Sequence, residues 1–491
     1  MTYRFQLKKP VFKVHRKANG LCKNLIICLS GSHFLGRTKY QIIGLVVIFS
    51  ALLLGITTLI DIIILDGMMN FAVKRHPHVC EKAHFLTQQF NAQQKMVSDE
   101  IQLQNLLLSS SQSVTDHARQ KIHPITQQIL ESGSHICPLI SGTLVGPLKV
   151  NEDLTTLDED LKILESEFKA RTSVHSNLAH RVKKSLEEKD EKLITVNTIE
   201  ELQKAQVNYT NAYFPLSNVE PPVGVVTPGN CYPHRRTAIV IPYRNRSEHL
   251  KVFLRHLHPI LLRQDIEYGI YVINQVGNGK FNRAKLLNVG FSEALQHYNK
   301  YDCVIFHDVD LLPEDDRNIY TCSSQPKHMS IAVNIFDYKL PYNDIFGGVT
   351  ALTPAQFQLV NGYSNEYWGW GGEDDDMYKR IRYNCMSILR ISEEHARYLM
   401  VRHHKDKGNE IMPERFTLLK ASLNRQPYDG LKSLNYTVHN RMFGVLYNNI
   451  SVSIGEPLVK TMTQEEQAVH FGIGIVGIFI IYILLFKRTC S

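Results

Sequence analysis

Two tryptophans in 491 residues are all this chain has, and they stand two positions apart. The first 41 residues hold no Asp or Glu against nine Lys and Arg. The chain carries 55 basic and 47 acidic residues, so everything beyond that tail is close to neutral. A nucleic-acid surface would need its basic excess on the folded part, which excludes that class of partner. None of the nine cysteines is spaced as metal-binding pairs are, which excludes a zinc-finger-like site. No Ser/His/Asp or Cys/His signature marks a covalent nucleophile either.

Long uncharged runs are present. Ile42–Ile60 carries no charge, and the apolar character continues to Leu65 across Asp61. Such a run spans a bilayer, whereas a cleaved signal peptide would be shorter and end at a small-residue site. The expectation is a signal-anchor over 42–65, with the basic tail 1–41 cytosolic and the remainder lumenal. Cys22, Cys28 and Cys490 then lie on the cytosolic side. Cys80, Cys137, Cys231, Cys303, Cys322 and Cys385 lie in an oxidising compartment where pairing is expected. Asn208, Asn435 and Asn449 head glycosylation sequons, while Asn245 heads one inside a candidate site and is expected to stay unmodified. Phe471–Phe486 is a second uncharged run, closed by Lys487 and Arg488. With Ala468–His470 it suggests a second span over 468–486 and a cytosolic C-terminus.

Between these runs the chain changes character. Residues 66–219 read as a polar, partly helical stem. Leu154, Leu157, Leu161, Leu164 and Phe168 alternate by three and four, and Leu178, Val182 and Leu186 resume the pattern. That predicts an amphipathic helix, packed on its own domain or paired with a second chain in a short coiled coil. PPVGVVTPGN (221–230) marks entry to a compact domain over 220–456. There strands at Thr237–Pro242, Tyr268–Asn274 and Tyr301–His307 alternate with helices at His249–Leu262 and Asn282–Tyr298. The alternation predicts an α/β domain with a mainly parallel sheet. Ligands of such sheets gather at the C-terminal ends of strands, where Arg244-Asn245-Arg246 and Asp308-Val309-Asp310 fall.

The most unusual stretch is YWGWGGEDDD, residues 367–376. Glycines beside Trp368 and Trp370 let backbone and indole approach a ligand, and the carboxylates that follow can hold and deprotonate sugar hydroxyls. A helix N-terminus answering its own dipole would also attract acids, but not the WGWGG before them. Asp310 closes an Asp-x-Asp at a strand end, where carboxylate oxygens hold Mg²⁺ or Mn²⁺ against a diphosphate. Arg244 and Arg246 offer planar donors to phosphate. Met400 and His403, three apart, would with Asp310 suit a borderline ion such as Mn²⁺ better than Ca²⁺.

These residues carry a resemblance. IPYRNRSEHL (241–250), INQVGNGKFNRAKLLNVGF (273–291), FHDVDLLPED (306–315), FGGVTAL (346–352), YWGWGGEDDD (367–376) and MVRHHKDK (400–407) are similar to the motifs of the β1,4-galactosyltransferase family, in the family's order, over about 220–456. The resemblance implies a type II Golgi glycosyltransferase with a GT-A, Rossmann-like domain. The implied reaction is a Mn²⁺-dependent inverting transfer from a UDP-sugar to the 4-hydroxyl of terminal GlcNAc. It implies Asp310, Met400 and His403 as metal ligands, and Pro242, Arg244, Arg246, Phe281, Arg283 and Trp370 around the donor. Asp374 is implied as general base and Glu373 as its partner on the sugars. Trp370, Gly371, Arg415, Phe416 and Leu419 would form the acceptor pocket. Pairs Cys303–Cys322 and Cys137–Cys231 are implied as disulfides, with catalytic-domain-like sequence starting near 136 and an insertion over about 151–200.

One position departs. The family's galactosyltransferases have Tyr immediately before FGG, and here it is Ile345. Relatives with Ile or Leu there resemble invertebrate β1,4-N-acetylgalactosaminyltransferases. A shorter apolar side chain leaves room for an acetamido group at the donor's C2. The expectation is therefore GalNAc transfer from UDP-GalNAc, with galactose from UDP-Gal as the alternative. A silent lumenal sugar-binding protein is a further alternative. Expected partners are the donor, a GlcNAc-terminated glycan on protein or lipid, the membrane, a membrane protein at the C-terminal span and a second chain at the stem.

Overall fold

The computed structural model describes residues 77–109, 124–131, 135–169, 221–229, 231–402 and 408–457. All of them belong to one unit, His76–Ser491. Both expected membrane spans, the basic tail, Asn208, His403 and residues 170–200 of the insertion lie outside the described residues. Among the described residues no helix is long and apolar enough to cross a membrane.

In chain order the helices are α1 (Pro77–Ser109), α2 (Pro124–Glu131), α3 (157–169), α4 (Ser247–Arg263), α5 (Arg283–His297), α6 (Pro354–Leu359), α7 (Glu373–Tyr383), α8 (Arg415–Lys420) and α9 (Ser422–Arg425). The strands are β1 (Val225–Val226), β2 (Arg236–Tyr243), β3 (Glu267–Gln275), β4 (Cys303–His307), β5 (Leu311–Pro313), β6 (Lys327–His328), β7 (Ala332–Val333), β8 (Val349–Leu352), β9 (Leu389–Arg390), β10 (Arg397–Met400), β11 (Thr437–Phe443) and β12 (Asn448–Ser453).

The main sheet runs β11-β12-β3-β2-β4-β8-β6-β9. Its centre, β12, β3, β2 and β4, is parallel, as the unbroken apolar runs predict. β8 pairs antiparallel with β4 and β11 antiparallel with β12, so the sheet is mixed. Alternation along β2 splits the core. Ala238 and Val240 face one layer with Leu286, Leu287 and Val289 of α5. Ile239 and Ile241 face the other with Phe253, Leu257 and Leu261 of α4. A Cβ at Gly290 would run into Val240, so glycine there lets α5 lie directly on the sheet. Asn282 caps α5, its side chain accepting from Lys285 N at 2.8 Å.

Two stem segments are part of this body. Disulfide Cys80–Cys385 ties α1 to the residues just after α7. Ala83 joins the main core, and Gln104 exchanges hydrogen bonds with the Ile136 backbone. The start of the insertion, α3, packs on its own domain. Leu157 and Phe168 are buried, Phe168 meets His258 edge-on at 4.9 Å, and Arg255 pairs with Asp160 at 3.2 Å. The coiled-coil alternative gains no support from the described part: Leu157, Leu161 and Phe168 pack on α4 and its neighbours, Leu154 is exposed, and Leu178, Val182 and Leu186 lie outside the described residues. Cys137–Cys231 and Cys303–Cys322 are both formed.

Candidate active site

The C-terminal ends of β2 and β4, the start of α5, the entry to β8 and the start of α7 converge on one charged cluster. Arg283, the first residue of α5, donates from Nε to Asp308 Oδ1 at 2.6 Å and from Nη2 to Gly348 O at 3.4 Å. Its Nη1 lies 3.8 Å from Glu373 Oε1 at the head of α7. One cation therefore joins three chain segments. The acids outnumber it. Burial raises the Asp308 carboxyl, Arg283 lowers it, and Asp310 and Asp374 raise it again. Burial, then Asp374, pushes Glu373 up to about 7. Glu373 Oε2 is buried without a hydrogen-bond partner among the described residues.

The four acids of α7 do four different things. Glu373 faces Arg283. Asp374 packs against the backbone of the FGG turn, its Oδ2 2.9 Å from where a Cβ on Gly347 would stand. Asp375 accepts from the Tyr342 hydroxyl at 2.9 Å. Asp376 is fully buried and paired with Arg380 at 3.0 Å. The helix dipole favours the first two where they stand, and Gly372, at φ 99°, turns the chain into the helix.

The two indoles part company. Trp368 is buried in the core, while Trp370 is 58% exposed. The Trp370 backbone forms a β-bridge with Ile411, its main-chain N–H donating to Glu410 O at 2.9 Å, and Gly369 N donates to Phe281 O at 2.7 Å. Arg415 lies beside Gly371 and over the ring of Phe416, 4.4 Å to its centroid. Exposed Trp370, Ile411 and Phe416 thus rim the acids with apolar surface, and Leu419 follows half-buried on α8. Next to Gly369, Phe281 in turn lies under Arg244, 5.1 Å from its ring centroid, and Arg244 donates to Gly279 O at 2.7 Å. Pro242 is buried in β2, Arg246 precedes α4, and Ile345 is half-buried.

Asp310 and Met400 are neighbours across the small sheet β5-β10-β7. Met400 pairs with Leu311, and Val401 N donates to Asp310 O at 2.8 Å. His403 is outside the described residues, and no group of three His, Cys, Asp or Glu able to hold a metal occurs among the described ones. The acid surplus and the orphaned Glu373 oxygen are the kind of surroundings a divalent cation answers.

Sequence reasoning missed three things here. Tyr342 reaches the acids from four residues before FGG. Asp308, noted only as half of a motif, holds Arg283. Arg390 donates to Asn343 O at 2.9 Å and Ile345 O at 2.8 Å, fixing the turn that carries Ile345. A lone Tyr and a lone Arg give no spacing signal. Of the sequons, Asn435 is exposed and Asn449 sits half-buried in β12.

Residues 187–323 match the family described as the N-terminal region of glycosyl transferase group 7, and 327–404 the N-terminal domain of galactosyltransferase. Beta-1,4-galactosyltransferase 3 of Bos taurus is 53% identical over 235 residues, 48% of this chain and 59% of that protein. Beta-1,4-galactosyltransferase 2 of Cricetulus griseus is 50% identical over 235 residues, 48% and 64% of the two chains. Through this region the chain is similar to the β1,4-galactosyltransferases. It spans about three fifths of the length of the curated relatives it matches. A crystal structure of a mutant Drosophila β1,4-galactosyltransferase 7 with manganese, UDP-Gal and xylobiose is 27% identical, with TM-score 0.40, covering 46% of this chain and 97% of that one. Four of the motifs quoted above, those holding Arg283, Asp308, Gly348 and Glu373, supply the segments that meet at the cluster.

The raised Glu373 carries a prediction. Folding lifts its pKa from the ordinary 4.5 to about 7, so the folded state loses stability as pH rises through that window. With divalent cations chelated, Glu373→Gln should raise the free energy of unfolding at pH 8, by at most on the order of 3 kcal/mol, and change it little at pH 4, as chemical denaturation would measure. A variant less stable than the parent at pH 8 would show that Arg283 already neutralises the carboxylate.

Proposed function

We propose that the chain is a lumenal Golgi β1,4-hexosyltransferase that moves a sugar from a UDP-sugar to the 4-hydroxyl of terminal GlcNAc, with inversion. The observation that carries it is Asp374, held at the N-terminus of α7 against the FGG turn, with Trp370 and Phe416 exposed beside it. An inverting transfer is one displacement, needing a base on the acceptor and charge stabilisation on the leaving group. Asp374 takes the proton from the acceptor hydroxyl. Trp370 covers the apolar face of the sugars, Glu373 anchors their hydroxyls, and Arg415 with Phe416 and Leu419 forms the acetamido pocket. Arg244 and Arg246 face the diphosphate. Mn²⁺, as in the Drosophila complex, would be held by Asp310, Met400 and His403 and would supply positive charge for the departing UDP.

Galactose is the better-supported donor sugar, since the relatives above are named galactosyltransferases. They give no support to the GalNAc expectation, for which the specific observation remains Ile345 before FGG. We also place the 42–65 run as a signal-anchor and the 468–486 run as a second span. The donor test uses the purified protein with Mn²⁺ and a GlcNAc acceptor. Faster transfer from UDP-Gal, little altered by Ile345→Tyr, is the expected result. A preference for UDP-GalNAc that Ile345→Tyr reverses, by tenfold or more, would make Ile345 the donor selector. Turnover with neither donor would move the assignment to a sugar-binding protein.

A further inference from the structure

The stem helix α1 does not lie flush on the domain. Between it and the sheet is a cavity of about 570 Å³. Its floor is formed by residues that lead into strands, His234 and Arg235 before β2 and Lys300 and Asp302 before β4. The candidate active site lies beyond the opposite ends of these same strands. At roughly 3.3 Å per residue, the eight residues of β2 put about 25 Å between the two. This is a separate place, and nothing in the transfer reaction uses it.

Its lining carries three cations, Arg235, Arg236 and Lys300, against one acid, Asp302. Arg236 is committed to the buried Glu267, 3.1 Å from its Nε. The Arg235 guanidinium makes no hydrogen bond among the described residues, and its nearby countercharge is Asp302, one of whose oxygens is taken by Arg236 N at 3.0 Å. Lys300 is half-buried beside them. From the roof, α1 contributes amides and apolar groups, Gln89, Gln93 and Phe90 among them, and no acid. Lys327, buried nearby with Nζ on Ile319 O at 2.6 Å, is pushed down to about 7 by burial and by Arg235. His234 is 4% exposed, and its Nδ1 has no hydrogen-bond partner among the described residues.

A cationic surplus around a partly enclosed space is costly unless a counter-ion occupies it. Guanidinium and ammonium together select a tetrahedral oxyanion, to which both donate charge-assisted hydrogen bonds. The glutamine amides above them can donate and accept, which suits hydroxyls next to that group. We infer that this cavity is an oxyanion site that takes a phosphate or sulfate group, either free or as the ester of a sugar, beneath the stem helix. Occupancy would bind α1 to the domain at a second point, along the helix from Cys80–Cys385.

The test is thermal unfolding of the full chain in detergent, titrated with sodium sulfate or sodium phosphate at ionic strength held constant with chloride. A saturable rise in midpoint of several degrees in the millimolar range is expected. Arg235→Gln and Lys300→Gln should each abolish the saturable rise while leaving basal transfer unchanged, which shows that they fold. Arg244→Gln, which removes a donor-side cation, should keep it. A linear rise shared by all variants would be salt exclusion and would overturn the assignment, as would a saturable rise that survives both Arg235→Gln and Lys300→Gln. Half-saturation by N-acetylglucosamine 6-sulfate at tenfold lower concentration than inorganic sulfate would identify the sugar ester as the ligand; equal half-saturation would identify the free anion.

Discussion

Asp374→Asn should lower turnover by about two to four orders of magnitude and leave acceptor binding within a few-fold, as loss of a general base does. The substitution keeps shape and hydrogen-bonding oxygen but removes the basicity. Asp374 lies against Gly347, so a larger residue would clash with the turn, while Asn fits. Its Oδ1 also accepts from Asp375 N at 3.0 Å, a bond that the Asn oxygen retains. The fold should therefore survive, and thermal unfolding would confirm that. Initial rates and acceptor titration by calorimetry separate the two effects. Unchanged turnover would remove Asp374 as base and point to Glu373, the other carboxyl facing the site. Binding kept with turnover lost is the outcome that separates an enzyme from a sugar-binding protein.

The framework of the domain was legible because its strands are buried on both faces. Runs such as TAIVIP and YGIYVIN have no other stable use, and their ends fixed where Arg244 and Asp308–Asp310 must lie. Observed bounds extend the predicted ones by a residue or two, as at β2, or shorten them, as at β4. What was not legible depended on partners far away in sequence. Cys80 and Cys385 are 305 residues apart, and spacing says nothing of such a pair. The α3 stripe could have faced another chain; Arg255 and His258 of α4 decided otherwise. Trp368 and Trp370 are equivalent as letters, yet one is core and the other is surface. Within EDDD the sequence offers four alike carboxylates, and only packing assigns Asp376 to the interior.

That assignment sets the largest stability effect. Arg380→Met should destabilise the domain by about 3–5 kcal/mol, the usual consequence of stranding buried charges. Arg380 and Asp376 are both fully buried, one turn apart on α7. Arg380 Nη1 donates to Asp429 O at 2.7 Å and Gly362 O at 3.1 Å, and its Nη2 stands 3.4 Å from Asp429 Oδ2. Arg425 binds Asp429 at 3.0 Å, and Ser422 donates to Asp376 Oδ1 at 2.9 Å. Met fills much of the volume but leaves two carboxylates and two carbonyls short of a donor. The double variant Arg380→Met with Asp376→Leu should recover a good part of the loss, because a matched apolar pair no longer strands that carboxylate. Chemical denaturation of the three proteins measures this; a single variant as stable as the parent would mean that water or Arg425 takes over the role. The network also has a consequence for chemistry. Asp376 is two residues from Asp374, and Ser422 and Arg425 belong to α9, next after the α8 that carries Arg415 and Phe416. The same buried ions therefore hold the base and the acceptor pocket in one frame. In folded Arg380→Met, the acceptor KM should rise several-fold while the donor KM stays near the parent value, since Arg244 and Arg246 stand in the turn between β2 and α4, outside the network.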